Sequence, residues 1–259
     1  MTATWTTADP WSPLPGSLAV VTGAAGGIGR AIVELLLDVG ASVLASDVDA
    51  AALVRLADDL GSDSLFTFAA DVSDSGQIRD LEAAARETRI PLGLWVNNAG
   101  IGLRRAAEQI TAEEWDRVFG VNLRSVLLGA QAARRCFVDQ GTGGSIINLS
   151  SVTGLTALPG RSAYGTSKAA VAHLTRQLAE EWGPERIRVN AIAPGFILTP
   201  LSHLWNAPEN ERGEEAGRIP LRRLGIVDDV ARAALVLGSR LSDYQTGQLI
   251  VVDGGLTLS

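Results

Sequence analysis

Short apolar runs alternate along the chain with longer stretches in which apolar residues recur every three or four positions. Residues 18–21 (LAVV) have the length and branching of a buried strand, and glycines follow at once. From Gly27 the period changes. Ile28, Ala31, Ile32, Leu35, Leu36 and Val39 share one helical face, and Gly40 offers a stop. Strands are predicted likewise at 42–46, 65–69, 92–96, 145–149, 187–192 and 249–252. Helices are predicted over 49–60, 74–88, 111–139, 162–182 and 227–238. Such alternation implies parallel strands joined by right-handed crossovers, hence an α/β fold: a single-domain, doubly wound parallel sheet of the Rossmann type with helices on both faces. Residues 1–16 read as an irregular arm, and 17–259 as the domain. The polar, breaker-rich stretch 199–220 lacks clear periodicity and reads as a lid or surface loop.

Composition narrows the class. With 46% hydrophobic and 20% charged residues among 259, the chain can bury a substantial core. A formal charge of −7 argues against nucleic-acid partners and anionic membrane surfaces. One cysteine, Cys136, excludes an internal disulfide framework, and with only two histidines it argues against a zinc site, so no metal is expected. No apolar run is long enough to span a membrane, and the first 16 residues lack the basic start and apolar stretch of a signal peptide. A cytoplasmic protein is expected. Among 22 basic residues only Lys168 is a lysine, and the tyrosines are Tyr164 and Tyr244 alone.

Chemistry gathers at the strand ends. Residues 22–29 (TGAAGGIG) lie between the first strand and first helix, where small residues let backbone amides approach a pyrophosphate. Asp47, 18 residues past Gly29, ends the second strand. There a carboxylate can accept the ribose hydroxyls of NAD and repel a 2′-phosphate, and Ala24, Ala25 and Val48 supply no cation for that phosphate. Asp49 is the better candidate for capping the next helix. Tyr164 and Lys168 stand four apart on one helix face. An ammonium beside a phenol favours the phenolate and lets tyrosine exchange a proton with an alcohol or carbonyl near neutrality.

These residues and their order resemble the short-chain dehydrogenase/reductases in their compact form, from Leu18 to Gly255. The matching pieces are Thr22-Gly23-x3-Gly27-x-Gly29, Asp71-Val72, Asn97-Asn98-Ala99-Gly100, Asn122, Ser150-Ser151, Tyr164-x3-Lys168, Pro194-Gly195-x3-Thr199 and Val252-Asp253-Gly254-Gly255. The resemblance implies Tyr164 as general acid/base and Ser151 as the hydroxyl that binds the reacting oxygen. It implies Lys168 as holder of the nicotinamide ribose, and Asn122 as the residue that kinks its helix and binds a relay water. It implies a cofactor site of Gly23, Gly27, Ile28, Gly29, Asp47, Asp71, Val72, Asn98, Ala99, Gly100, Tyr164, Lys168, Pro194, Gly195, Ile197 and Thr199.

It also places Leu103, residues 153–158, Phe196 and 199–220 around a small alcohol or ketone substrate. Arg104, Arg105 and Arg161 read as surface charges that can alternatively meet an anionic substrate. His203 reads as surface of the lid, His173 as off the site, Cys136 as a small buried hydrophobe, and Trp205 as a lid aromatic or a subunit contact. The expected activity is NAD-dependent interconversion of a secondary alcohol and a ketone by a homotetramer. The alternatives are a 3-oxoacyl-thioester reductase, whose relatives commonly use NADP, and a non-catalytic NAD-binding protein, which has no need of a proton relay.

Overall fold

A computed structural model describes residues 16–199 and 202–258, without the side chain of His203. Fifteen of the 16 residues assigned to the arm therefore lie outside the described residues. Seven parallel strands stand in the order β3-β2-β1-β4-β5-β6-β7. They are β1 (Leu18–Thr22), β2 (Ser42–Asp47), β3 (Leu65–Ala69), β4 (Leu92–Asn97), β5 (Gly144–Leu149), β6 (Ile187–Pro194) and β7 (Leu249–Val252). The helices are α1 (Gly27–Asp38), α2 (Ala50–Leu60), α3 (Ser75–Glu87), α4 (Ala112–Phe119), α5 (Ser125–Gln140), α6 (Ser162–Trp182), α7 (Glu209–Gly217) and α8 (Val227–Gly238).

Strand order reverses between β1 and β4, so the loops leaving their carboxyl ends diverge and open a crevice. The central strands β1, β4, β5 and β6 are covered on both faces, which is why their sequences read as near-continuous apolar runs. Ile32, Leu36, Val96, Ile147, Val230 and Ala234 fill the layer under α1 and α8. Trp95, Phe137, Ile146, Leu178 and Val189 fill the opposite layer under α5 and α6. Each such large apolar side chain contributes about 1.5–3 kcal/mol when fully buried.

A polar chain crosses that second layer. The Trp95 indole donates to Asn97 Oδ1 at 2.8 Å, the Asn97 amide to Asn148 Oδ1 at 2.9 Å, and the Asn148 amide to Thr175 Oγ1 at 2.9 Å. These bonds pin β4, β5 and α6 in register, since leaving any member unpaired costs about 1–3 kcal/mol.

Helix starts follow the expected chemistry. Asp49 accepts from the Ala52 amide at 2.9 Å, capping α2 and leaving Asp47 free of that task. Thr111 and Glu114 exchange bonds in a capping box at the head of α4. Two expectations change. The helix over 111–139 is not uniform: α4 passes into α5 through a π-turn, Gly120–Arg124, centred on Asn122. The stretch 199–220 is not a featureless loop, because it contains a short 3-10 turn (His203–Trp205) and α7. Leu204, Ile219 and Leu224 give it a small core against Phe196 and Leu198. No helix among the described residues is long and apolar enough to cross a membrane.

Candidate active site

The crevice is a cavity of about 780 Å3 bounded by the ends of β1, β2, β4, β5 and β6 and by the start of α6. Its floor is braced by Asn98, whose amide donates to the carbonyls of Thr22 and Gly23, each at 2.9 Å. The Thr22 hydroxyl accepts from the Asn98 and Ala99 amides. Asn98 thereby locks the end of β4 to the glycine turn. The turn tolerates no side chain at its closest point: a Cβ on Gly29 would stand 2.0 Å from the Gly23 carbonyl oxygen. Gly23 itself has φ +62 and lies against Ala99.

Helix α1 begins at Gly26 without a side-chain cap, so its first amides face the cavity unanswered by the protein's own side chains. Asp47 closes the turn from the other side, accepting from the Ala25 amide at 3.0 Å and the Asp49 amide at 3.1 Å. Asp71 is held by Ser73 through its amide and hydroxyl at 2.8 and 2.7 Å, and Val72 is buried beside it. A glycine cradle, an uncapped helix start and an acidic strand end fit the pyrophosphate and adenosine half of a nicotinamide dinucleotide. Gly27, Ile28, Ala99, Gly100, Pro194, Gly195, Ile197 and Thr199 also line the cavity, with Thr199 packed 3.6 Å from where a Cβ on Gly27 would lie.

The polar cluster sits at the other end of the cavity. Lys168 is buried at 4% exposure and donates to the Leu149 carbonyl at 2.7 Å. Its Nζ is 5.8 Å from the centre of the Tyr164 ring. Burial draws the Lys168 ammonium down to about 8. Gly100 lies between Lys168 and Asn122, since a Cβ there would be 3.4 Å from both Nζ and Asn122 Oδ1. Asn122 accepts from the Ile101 amide at 2.8 Å and donates to the Ile101 carbonyl at 3.0 Å and to Ser167 Oγ at 3.1 Å. Its side chain is therefore a brace that fastens the π-turn to the loop after β4.

Ser151 Oγ accepts from the Thr153 hydroxyl at 2.9 Å and the Thr153 amide at 3.2 Å. With those acceptor positions filled, its own proton is directed outward as a donor. Neighbouring Ser150 instead donates to the Lys168 carbonyl at 2.8 Å and ties β5 to α6. Burial pushes the Tyr164 phenol above its ordinary value, while hydrogen bonding with Ser151 and the charge of Arg161 pull it back. The expected depression by Lys168 is thus not the leading influence on this phenol; desolvation is.

The substrate side departs from expectation in several places. Phe196, Thr153 and Leu158 line the cavity, whereas Leu103 and residues 154–157 do not. Arg105 is paired with Glu114 at 2.9 Å. Arg104 and Arg161 both line the cavity, Arg104 exposed at its mouth and Arg161 half-buried, with the Arg161 guanidinium 5.8 Å over the Tyr164 ring. His173 is exposed and bonded to Gln177, away from the cluster, and Cys136 is buried with its thiol pushed up to about 11 by burial. Trp205 is 47% exposed and borders no part of the cavity. The resemblance placed Thr153 near the substrate, but the bond from its hydroxyl to Ser151 and the meeting of Arg104 with Arg161 depend on where loops from β4 and β5 meet.

The family model described as enoyl-(acyl carrier protein) reductase matches residues 23–257. The 3-oxoacyl-[acyl-carrier-protein] reductase of Thermotoga maritima is 38% identical over 248 residues, covering 95% of this chain and 99% of that protein. The gluconate 5-dehydrogenase of Gluconobacter oxydans is 34% identical over 248 residues, covering 95% and 96%. Among solved structures, a short-chain type dehydrogenase/reductase from Mycobacterium marinum superposes with a TM-score of 0.90 at 35% identity, covering 97% of this chain and 99% of that one.

Proposed function

Because the chain belongs to the short-chain dehydrogenase/reductase family, oxidoreductases that act on CH–OH groups with NAD or NADP, we propose that it interconverts a secondary alcohol and a ketone with NAD, using Tyr164 as general acid/base. The observation that carries this reading is the meeting of Ser151, Tyr164 and Lys168 at one end of a cavity whose other end suits a dinucleotide. When bound, the cofactor supplies or accepts the hydride.

The protein's own groups handle the oxygen and its proton. The Ser151 hydroxyl, held by Thr153, donates to the reacting oxygen and fixes its position. In ketone reduction the Tyr164 phenol gives its proton to that oxygen as negative charge develops; in alcohol oxidation the phenolate removes it. Lys168 holds the nicotinamide ribose and offers a nearby positive charge, and Asn122 keeps the adjoining loop in place. Gly23, Gly27, Ile28 and Gly29 receive the pyrophosphate. Asp71, Val72, Asn98, Ala99 and Gly100 border the adenosine and ribose, while Pro194, Gly195, Ile197 and Thr199 face the carboxamide.

The preference for NAD rests on Asp47 and on the engagement of the one cation in the first turn of α1. Arg30 is tied to Glu34 at 2.7 Å and to Asp59 at 2.8 Å and is not free to receive a 2′-phosphate. A homotetramer and a cytoplasmic site complete the proposal, the first supported by exposed apolar residues at the C-terminal end and the second by composition. Nicotinamide absorbance on a panel of secondary alcohols and ketones, run in both directions with both cofactors, tests the reading. Turnover with NAD favoured is expected. Preference for NADP overturns the cofactor assignment, and a second, thioester-directed reading gains if only 3-oxoacyl thioesters react.

A further inference from the structure

Of the arginines that line the cavity, Arg104, Arg117 and Arg161 have no carboxylate partner among the described residues, and Arg104 and Arg161 meet beside Tyr164. Arg161 precedes α6 and is half-buried, and beyond the Tyr164 ring its one hydrogen bond is a long 3.5 Å contact to the Leu103 carbonyl. Arg104 comes from the loop after β4. The Arg105 amide donates to the Gly160 carbonyl at 2.9 Å, and a Cβ on Gly160 would meet the Arg104 side chain at 3.5 Å. One backbone bond thus brings both guanidinium-bearing loops together beside Tyr164.

Their neighbours are treated differently by the fold. Arg105 is paired with Glu114, and Arg218, which also lines the cavity, is paired with Glu215 at 2.9 Å. Among the described residues no carboxylate stands within ion-pair distance of Arg104 or Arg161, and the first turn of α6 carries no acidic residue. Of the acidic lining groups, Asp47 and Asp71 belong to the strand ends at the adenosine side, and Glu215 is paired with Arg218. In a chain of net charge −7, this end of the cavity is left cationic.

We propose that Arg104 and Arg161 bind an oxyanion, a carboxylate or a phosphate ester, carried on the same small molecule as the reacting hydroxyl or ketone. The proposal rests on the oxidoreductase reading above and names the substrate class of that site. A guanidinium keeps its charge, whether half-buried as in Arg161 or exposed as in Arg104, and offers a donor fork that matches such groups. Phe196, Leu158 and Val152 supply apolar walls for the carbon skeleton between anion and reacting carbon.

The test compares charged and neutral partners of one skeleton. The probes are 3-hydroxybutyrate with its primary amide, 2-hydroxybutyrate with its amide, and glycerol 3-phosphate with glycerol, each assayed with NAD. The readout is the ratio of kcat/KM for the charged member over the neutral one, in which any effect of Arg161 on the Tyr164 phenol cancels. At least one pair is expected to favour its charged member more than tenfold; carboxylates or phosphate winning identifies the anion. Arg104→Gln and Arg161→Gln should each lower that ratio about tenfold, while Arg105→Gln should leave it unchanged. A ratio near one in the wild type, or one that the two substitutions do not move, overturns the anion site while leaving the oxidoreductase reading intact. If no pair turns over, calorimetry on the NAD complex decides: charged members binding no better than neutral ones, or equally well to Arg104→Gln, overturns the proposal, whereas absence of turnover on the whole alcohol and ketone panel counts against the activity itself.

Discussion

At the scale of single residues, the site is an economy of donors and acceptors. Thr153 fills the acceptor positions of Ser151, and Thr153→Val removes the shorter of the two bonds while the backbone amide remains. A loss of about fivefold in kcat is expected, in line with one hydrogen bond of about 1 kcal/mol, with little change in cofactor affinity. Lys168→Arg is expected to lose about a hundredfold or more in kcat, because a bulkier planar fork cannot replace a compact ammonium enclosed beside Leu149 and Gly100. Steady-state kinetics at saturating NAD checks both. Burial also makes Lys168 a pH-dependent liability to stability. Its amine is held at about 8 when folded, below the ordinary 10.5. Below the folded value the lysine is charged in both states and the cost of burying it is fully present. Above 10.5 it is neutral in both, and the cost is gone. Between the two the unfolded chain binds the extra proton, so stability should rise with pH by up to about 1.4 kcal/mol per unit relative to Lys168→Met. Urea midpoints for both proteins from neutral to alkaline pH give the slope, and parallel curves would refute it.

At the scale of elements, the glycine turn and α1 form one rigid contact. Gly29→Ala is expected to abolish dinucleotide binding, measured by calorimetry, because its methyl would have to displace the Gly23 carbonyl. Every strand and the helices α1 to α3, α6 and α8 were legible from apolar periodicity, since each presents a stripe or a run to one of two core layers. Helix α7 was not, because Glu-Asn-Glu-Arg-Gly-Glu-Glu-Ala-Gly buries no residue and has no apolar stripe to detect. The π-turn was invisible to periodicity, since one extra residue per turn shifts a face without breaking the apolar pattern; only the resemblance, which implies a kink at Asn122, pointed to it. Motif spacing made Ser151, Tyr164 and Lys168 recognisable. Arg104 and Arg161 were read as surface charges or, alternatively, as contacts for an anionic substrate, and the choice was open because nothing in their local sequence says that Gly160 will lie beside Arg105. The segment 202–220, with its own small core and Glu215 and Arg218 at the cavity edge, is expected to close over bound substrate. Hydrogen exchange should show its amides more protected in the ternary complex than in the NAD complex, and unchanged protection would make it a static wall.

At the scale of the whole molecule, the sheet ends on β7 with apolar groups in solvent. Val251 is 39% exposed and Leu258 86% exposed, and Leu221 stands near them at 65%. A single chain gains nothing from that arrangement, and covering it on association is the expected remedy. Sedimentation equilibrium should give four times the mass of the chain, and a stable monomer at micromolar concentration would contradict this. The solitary, enclosed lysine has a different consequence, for how unfolding can be watched. A protease that cuts only after lysine has one target bond in the entire chain, following Lys168, and in the native protein that bond lies in the second turn of α6 against the core. Fragments of two fixed sizes can then arise only from molecules in which α6 has opened around Lys168, so the cleavage rate counts those openings directly.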